Sequence, residues 1–204
     1  MQNKMQKKAL QRRNQLLKAT FKAVADKGFD SVTLQDIADY AELSKGVTNY
    51  YFKNKEEIFY NLFIWITERI YQNERIAVDN EVGALSKLKA YVNAAFSNPQ
   101  KNKEFFRVYL EFLSQANYNP GFREINLQFY KNCWSIGEEI VILGQSEGIF
   151  GDVDIEKAKI TIRSLIDGSL IQWLMRDIDE LHEFYKDTCY SAIVLFLTNK
   201  ERPS

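Results

Sequence analysis

The fold of the chain is decided by the stretch Thr33–Lys55, which reads TLQDIADYAELSKGVTNYYFKNK. Its first part places apolar residues at Leu34, Ile37, Ala38 and Ala41. This i, i+3, i+4, i+7 spacing puts the apolar side chains on one face of an α-helix. The stretch therefore predicts a first short helix, of about two turns, with one buried face.

Hydroxyl side chains mark the starts of two helices in this stretch. Thr33 stands just before the first apolar face, and Asp36 follows three residues later. This is the capping-box arrangement, in which each side chain satisfies a backbone N–H at the helix start. Ser44 is a second N-cap candidate and predicts a helix that runs through Gly46 to Tyr51. The pattern is therefore two short helices joined by a tight turn.

The second short helix has two distinct faces. Thr48 and Phe52 lie one turn apart and are predicted to point inward, whereas Lys45 and Asn49 share a different, polar face. A helix of this kind fits the major groove of DNA, where lysine suits guanine acceptors and asparagine suits adenine. Two-helix units also occur in all-helical proteins of other functions, so the geometry alone leaves DNA binding open.

The residues around the second helix form a specific combination. They are Ser44, Lys45, Gly46, Tyr50, Phe52, Lys55 and the run 56–58, Glu-Glu-Ile. This combination resembles the DNA-binding signature of the TetR family of one-component regulators, over about the first sixty residues. The family most often has tyrosine at the position of Asn49 and histidine at that of Tyr51. These departures concern the operator sequence and leave the prediction of DNA binding unchanged.

The resemblance implies a role for each residue of the stretch. Lys45, Gly46, Val47 and Asn49 would face bases or the groove floor. Thr33, Tyr51 and Lys55 would lie against phosphates, and Gln35 would reach a base from the first helix. With Tyr50, the DNA-binding set is Thr33, Gln35, Lys45, Gly46, Val47, Asn49, Tyr50, Tyr51 and Lys55.

Composition favours a helical protein with a charged N-terminal region. The 204 residues include only three prolines and nine glycines, and helix-period patterns predict an all-α fold without a sheet. The net charge is zero, yet residues 1–60 hold eleven Lys or Arg against seven Asp or Glu. A basic arm precedes the first acid, Asp26, and can neutralise phosphates; its residues are Lys4, Lys7, Lys8, Arg12, Arg13, Lys18 and Lys22. A solubilising terminus is the alternative.

About nine helices are predicted. A first helix, Ala9–Lys27, precedes the two short ones, and Asn54 caps a fourth that joins the two halves of the chain. The later ones are predicted at Ala84–Ser97, Phe105–Ala116, Phe122–Glu147, a stretch from Asp152 or Asp154 to Arg176, and Asp179–Asn199. The predicted organisation is a helix-turn-helix DNA-binding domain at 1–53 and a larger helical domain for effector binding and dimerisation at 54–204.

Several classes of site and protein are not expected. Cys133 and Cys189 are the only cysteines, so no disulfide framework or structural zinc site is predicted. An acidic cluster at 177–183, which contains His182, is better explained by a helix N-terminus than by a metal site. No phosphate loop or catalytic motif is recognisable, so neither an enzyme nor a cofactor is predicted. Short apolar runs predict a cytoplasmic protein without a membrane partner.

Family resemblance also assigns roles to the C-terminal helices. The last two would pair with those of a second copy in a four-helix dimer interface, through Leu165, Gly168, Ser169, Tyr190, Ile193 and Leu197. An effector pocket would lie among the helices from Trp65 onward, lined by Trp65, Phe105, Tyr109, Phe112, Phe129, Trp134 and Trp173. For both sets the alternative is intramolecular core.

The function predicted from these features is a homodimeric repressor of double-stranded DNA operators. It would bind a palindromic site and be released from it by a small, largely apolar molecule. The alternative is a dimeric DNA-binding protein whose C-terminal half is a dimerisation or partner scaffold without a small-molecule effector. Dense filling of the C-terminal half by aromatic side chains would favour the scaffold.

Overall fold

The computed structural model of the chain describes the backbone of residues 2–199 and the side chains of residues 5–199. Lys4, one member of the predicted basic arm, lies outside the described side chains. The helices are α1 (Gln2–Lys27), α2 (Leu34–Tyr40), α3 (Lys45–Tyr51), α4 (Lys55–Asp79), α5 (Ala84–Ala95), α6 (Pro99–Ala116), α7 (Pro120–Ser146), α8 (Ile155–Arg176) and α9 (His182–Thr198), with a 3-10 turn at Asp179–Leu181. Residues 2–199 contain no strand, and the prediction of an all-α fold with nine helices is confirmed. Within the described residues, none of these helices has the length and apolar character needed to cross a membrane.

The chain divides into two compact units. The first holds the chain up to Thr67 together with Arg107–Asn126, and the second holds Glu68–Phe106 and the chain from Leu127 onward. Helices α4, α6 and α7 each contribute residues to both units. The first unit contains the whole of α1, α2 and α3, and the second contains α5, α8 and α9.

The first unit is built around the packing of α1 against the two short helices. Leu16 and Ala23 of α1 and Ile37 of α2 have no exposed surface. The guanidinium of Arg13 donates to the Tyr51 carbonyl at 3.1 Å and lies 4.4 Å from the centre of the Phe52 ring. Because α2 and α3 have only seven residues each, they are too short to be stable alone and depend on these contacts.

The turn between α2 and α3 is a Schellman motif with a glutamate in the left-handed position. Glu42 has a φ of 53°. Its N–H donates to the Asp39 carbonyl at 3.0 Å, and the N–H of Leu43 donates to the Ala38 carbonyl at 2.9 Å. These two bonds satisfy carbonyls at the end of α2. Since glycine is the residue that adopts this conformation without strain, Glu42 holds the turn at some conformational cost.

Three helices start earlier than the sequence predicts, and the first of them, α1, begins at Gln2 and not at Ala9. Helix α6 begins at Pro99, not Phe105, because Asn98 caps it by accepting from the N–H of Lys101 at 2.9 Å. Helix α7 begins at Pro120, where Asn119 accepts from the N–H of Gly121 at 2.9 Å. Proline at the first helical position loses no hydrogen bond, so each Asn-Pro pair starts a helix as well as ending the preceding segment.

The second unit has α8 and α9 packed together. Trp173 of α8 has no exposed surface and donates through its indole nitrogen to the Ile178 carbonyl at 3.0 Å. His182, at the start of α9, lies edge-on to this indole with ring centres 4.7 Å apart. Asn102 completes the contact through its Oδ1, 2.8 Å from Nε2 of His182. The acidic segment at 177–183 is therefore tied into the unit by its one histidine.

Replacing Glu42 by glycine is expected to stabilise the chain. Glycine removes the left-handed strain while keeping both backbone hydrogen bonds of the turn, so the free energy of unfolding should rise by about 0.5–1 kcal/mol. Glu124 is an exposed glutamate inside α7, in right-handed helical backbone. As the matched control, Glu124→Gly should lower the free energy of unfolding by about 0.5–1 kcal/mol. Urea unfolding of both variants checks this, and a loss of stability in Glu42→Gly would contradict it.

Candidate nucleic-acid interface

The start of α2 is held by the predicted capping box. The Thr33 hydroxyl oxygen accepts from the N–H of Asp36 at 3.1 Å, and the Asp36 carboxylate accepts from the N–H of Thr33 at 2.8 Å. Lys27 of α1 forms an ion pair with the same carboxylate. The Lys27 ammonium, together with the two Thr33 donors, holds the pKa of the Asp36 carboxyl well below its usual range. The start of α2 is thus fixed to the end of α1.

Helix α3 has the two faces that its sequence predicts. Ser44 caps the helix by accepting from the N–H of Val47 at 3.3 Å. Thr48 and Phe52 are buried, with exposed fractions of 0% and 1%, which confirms their predicted inward direction. Lys45 and Asn49 are exposed on the outer surface of the helix.

The rest of the outer face of α3 is small or aromatic. Gly46 is exposed. A Cβ added at this position would be in ordinary van der Waals contact with its nearest neighbour. Tyr50 exposes 82% of its surface and lies edge-on to Tyr51, with ring centres 5.0 Å apart. Val47 and Tyr51 are half-buried. The face therefore offers one cation, one amide and one phenol to a partner.

The other predicted contact residues flank this face. Thr33 and Gln35 are exposed at the start of α2, and the Gln35 amide donates to the Asp39 carboxylate at 2.8 Å. Lys55 is half-buried: its ammonium donates to the Asp30 carbonyl at 2.9 Å and lies 5.1 Å from the centre of the Phe59 ring. Burial lowers the pKa of Lys55. Lys55 therefore has a packing role that the sequence pattern does not reveal.

The residues of the predicted basic arm have different environments in the structure. Arg13 contacts Tyr51 and Phe52, as described above, and also donates to the Asn61 side chain at 3.1 Å. Lys18 and Lys22 are exposed and line an open groove of about 610 Å³. The other residues that line the groove are Gln11, Asn14, Gln15, Ala19, Tyr40, Ala41 and Glu42. Arg13 is thus a structural residue, and no local sequence signal marks it as such.

The predicted effector residues fall in both units. Trp65, Tyr109 and Phe112 belong to the first unit, and Phe105, Phe129, Trp134 and Trp173 to the second. In the first unit, Phe112 stacks on Phe63 with ring centres 4.8 Å apart, and the Tyr109 hydroxyl donates to the Asn126 side chain at 2.7 Å. In the second, Phe129 and Trp173 are buried, whereas Phe105 and Trp134 are half-buried.

The residues of the predicted dimer interface fall into two groups, one buried and one half-buried. Ile193 and Leu197 have no exposed surface within the single chain, so they belong to its core, which is the intramolecular alternative for these two residues. Leu165, Ser169 and Tyr190 are half-buried on α8 and α9. Gly168 is also half-buried, and a Cβ at this position would have no heavy atom within 4 Å.

The acidic segment at 177–183 serves as an ion-pair site. The Lys103 ammonium lies 2.5 Å from a carboxylate oxygen of Asp177 and 2.6 Å from one of Asp179. Burial against the rings of Phe96 and Trp173 lowers the pKa of His182. Among the described residues no group of three or more His, Cys, Asp or Glu side chains is arranged to hold a metal ion.

Comparisons with known proteins agree with this geometry. Residues 16–62 match the model of the bacterial regulatory proteins of the tetR family. Residues 84–193 match the C-terminal model of BetI-type transcriptional repressors. The transcriptional regulator BetI of Burkholderia lata is 27% identical over 112 residues, which cover 53% of this chain and 57% of that protein. The chain therefore spans less than two thirds of the length of the curated relatives that it matches.

Solved structures share the fold over nearly the whole chain. A TetR regulator from Haloarcula marismortui has a TM-score of 0.82 at 24% identity and covers 93% of this chain and 99% of its own. A regulator from Saccharomonospora viridis, solved in complex with choline, has a TM-score of 0.83 at 20% identity and covers 92% and 98%. FadR from Bacillus subtilis, in complex with stearoyl-CoA, has a TM-score of 0.73 at 22% identity and covers 88% and 96%.

Both family models describe transcriptional regulators and not enzymes, and the C-terminal model alone covers more than half of the chain. The first model includes the capped helices α2 and α3 with their exposed polar face. The chain therefore belongs to the TetR family of bacterial regulatory proteins.

Proposed function

We propose that the chain is a homodimeric transcriptional repressor that acts in the cytoplasm, binds a palindromic DNA operator and is released from it by a small molecule. The observation that carries the proposal is the polar face of α3, where exposed Lys45 and Asn49 stand over the buried anchors Thr48 and Phe52. In this proposal residues 1–53 bind DNA, and residues 54–204 bind the effector and dimerise.

The geometry of α3 supports base reading in the major groove. Lys45 and Asn49 are four residues apart on the outer face, so both side chains can reach base edges from one helix. Gly46 has no side chain to hold the helix away from the groove floor. Thr33, Gln35 and the exposed Tyr50 flank this face and supply phosphate or further base contacts. The Lys and Arg surplus of residues 1–60 favours a polyanionic partner.

Asn49→Ala is expected to relax operator specificity at one base pair. Loss of a bidentate amide contact to adenine should weaken binding to the preferred operator by about 1–3 kcal/mol and leave binding to the variant operator nearly unchanged. The operator is first selected from a random DNA pool with the purified protein, and both variants of the site are then titrated. Asn80→Ala, an exposed asparagine of the second unit, is the control.

Lys55→Ala should behave differently from Asn49→Ala. It should weaken binding to all sequences alike, because a phosphate contact carries no sequence information. It should also lower the melting temperature, since the Lys55 ammonium bonds to the Asp30 carbonyl in the folded chain.

If Asn49→Ala retained full discrimination between the two operators, the base-reading role of Asn49 would be wrong.

Helices α8 and α9 are the proposed dimer interface. Apolar side chains on them remain exposed in the single chain, with exposed fractions of 44% for Ile160 and 71% for Leu195. Leu165, Ser169 and Tyr190 would contribute their half-buried surfaces. Gly168 lets a helix of the second copy approach closely, because no atom of its own chain occupies the space beside it. A twofold dimer matches a palindromic operator with half-sites one helical turn apart.

Gly168→Ala is expected to separate chain stability from association. Alanine inside a helix with free space beside it should stabilise the single chain by about 0.5–1 kcal/mol. The same methyl group should weaken dimerisation roughly tenfold if a partner helix packs closely against Gly168. Sedimentation across a concentration series measures the association. In the control Gly46→Ala the new methyl group lies on α3, so dimerisation should be unchanged; unchanged dimerisation in Gly168→Ala would exclude close packing there.

An effector is proposed on the basis of the fold relatives that were solved with choline and with stearoyl-CoA. The candidate contacts are considered within each unit by itself, for example Trp65 in the first and Phe105 in the second. The scaffold alternative is favoured by the stacked and fully buried ring of Phe112. The two functions differ in whether a small molecule changes operator affinity, because only differential affinity for two states can release DNA.

A thermal-stability screen distinguishes the effector from the scaffold. Choline and stearoyl-CoA are the first probes, within a panel of small organic cations and acyl compounds. A true effector at about a hundredfold excess over its Kd should raise the melting temperature by about 5–10 °C. The same compound should lower operator affinity. Stabilisation without a change in operator affinity excludes that compound as inducer, and a panel without any stabilising compound favours the scaffold.

A further inference from the structure

The second unit contains a buried polar cluster that the sequence pattern does not predict. It comprises Glu74 of α4, Tyr91 of α5, Cys133 of α7, and Arg163 and Asp167 of α8. The side chains of Glu74 and Arg163 expose 1% and 5% of their surfaces. Charged side chains are rarely buried to this extent in a protein core unless they are paired.

Arg163 is shared between two carboxylates. One guanidinium nitrogen donates to Glu74 Oε1 at 3.0 Å, while Nε donates to Asp167 Oδ2 at 3.0 Å and Nη2 lies 2.7 Å from Asp167 Oδ1. Asp167 lies one turn away on the same helix as Arg163, whereas Glu74 lies on α4. The two ion pairs therefore differ in kind, because only the Glu74 pair joins two helices.

The remaining contacts of the cluster involve uncharged partners, and one of them is a hydrogen bond of 3.3 Å from Arg163 Nη1 to the Cys133 sulfur. The Cys133 thiol donates to Glu74 Oε2 at 3.6 Å, and the Tyr91 hydroxyl donates to the Cys133 carbonyl at 3.2 Å. The Arg163 guanidinium carbon lies 4.9 Å from the centre of the Phe129 ring. Burial raises the pKa of Cys133 and of Tyr91, so both stay uncharged at neutral pH. With both carboxylates ionised, the cluster thus carries one negative charge more than Arg163 neutralises.

Because the cluster has this surplus negative charge, Arg163 remains paired when its bond to Glu74 is lost. Removing one partner of an isolated buried ion pair leaves an uncompensated charge and is strongly destabilising. If Glu74 loses its charge, however, Arg163 keeps its ion pair with Asp167. Burial raises the pKa of the Glu74 carboxyl, against the opposing effect of Arg163, so proton uptake is the natural way to neutralise it. A raised folded-state pKa also means that this proton stabilises the folded chain as the pH falls, so its uptake does not unfold the protein.

Glu74 lies on α4, a helix whose residues belong to both units. Ile58, Phe59 and Leu62, at the other end of this helix, are buried in the first unit, where they have exposed fractions of 0–1%. A bond between α4 and α8 therefore restrains a helix whose first turns are linked to α3 through Arg13, which donates to the Tyr51 carbonyl and to the Asn61 side chain. Loosening α4 raises the entropy that must be lost when the helix-turn-helix is ordered on DNA, which lowers affinity.

We infer that Glu74 and Arg163 form a releasable latch between α4 and α8, which opens when Glu74 takes up a proton and thereby lowers operator affinity. Asp167 holds Arg163 in both states. This inference rests on the proposed DNA-binding function. It adds a regulatory input, the proton, and two positioning residues that touch neither DNA nor an effector.

The test is a pH series of operator binding by the full-length chain. Wild-type affinity should fall roughly fivefold or more as the pH is lowered from about 8 to the ordinary glutamate pKa of about 4.3. Glu74→Gln, which is uncharged at every pH, should bind at about pH 8 as the wild type does at the low end of the series, with a flat profile. The triple variant Glu74→Met, Arg163→Met and Asp167→Asn removes every charge of the cluster, so it should fold and also give a flat profile.

The matched control uses the neighbouring pair on the surface. Arg75 of α4 and Glu139 of α7 form an ion pair at 2.6 Å in which Glu139 is 57% exposed, so Glu139→Gln should keep the wild-type profile. His182 is present in every variant, and its titration is therefore common to all profiles.

The remaining outcomes separate the latch from the DNA-binding proposal. In Asp167→Asn, Arg163 has no second carboxylate, so acidification should now lower the melting temperature as well as the affinity. A wild-type profile that is flat, or identical to that of Glu74→Gln, would overturn the latch. If neither wild type nor Glu139→Gln selects any DNA, the DNA-binding function itself is wrong.

Discussion

The packing of α2 and α3 against α1 is the constraint on which the exposed face of α3 depends. Helices α2 and α3 have seven residues each, well below the length at which an isolated helix is stable in water. They persist because Ile37, Thr48 and Phe52 are buried in the first unit, where Arg13 of α1 donates both to α3 and to the Asn61 side chain of α4. The exposed side chains of α3, Lys45, Asn49 and Tyr50, lie outside this core.

Local features of the chain were predictable because their physical causes are local. Thr33, Ser44 and Asn54 cap helices through side chains only a few residues from their partners, and the inward direction of Thr48 and Phe52 follows from helical periodicity. The starts of α6 and α7 were mispredicted because an Asn-Pro pair both ends one segment and begins the next. These errors concern how one signal is interpreted and do not change the fold.

Tertiary features could not be predicted because their partners are distant in sequence. Arg13 contacts Tyr51, and Glu74 contacts Arg163, a residue 89 positions away. The sequence alone does not distinguish these charged residues from charged residues on the surface. Ile193 and Leu197 illustrate the converse, since an apolar residue at helical spacing fits a dimer interface as well as an intramolecular core. Only the packing of α8 and α9 separates the two cases.

The presence of Asp167 beside Arg163 has a consequence for how such a regulator can diverge. A buried cation normally forbids change at its partner, because the altered chain would not fold. Here the cation remains neutralised by a residue of its own helix, and position 74 is released from that requirement. Mutations at this position can therefore alter the signal to which the protein responds while the chain continues to fold, and new regulatory behaviour can arise from a single substitution in the core.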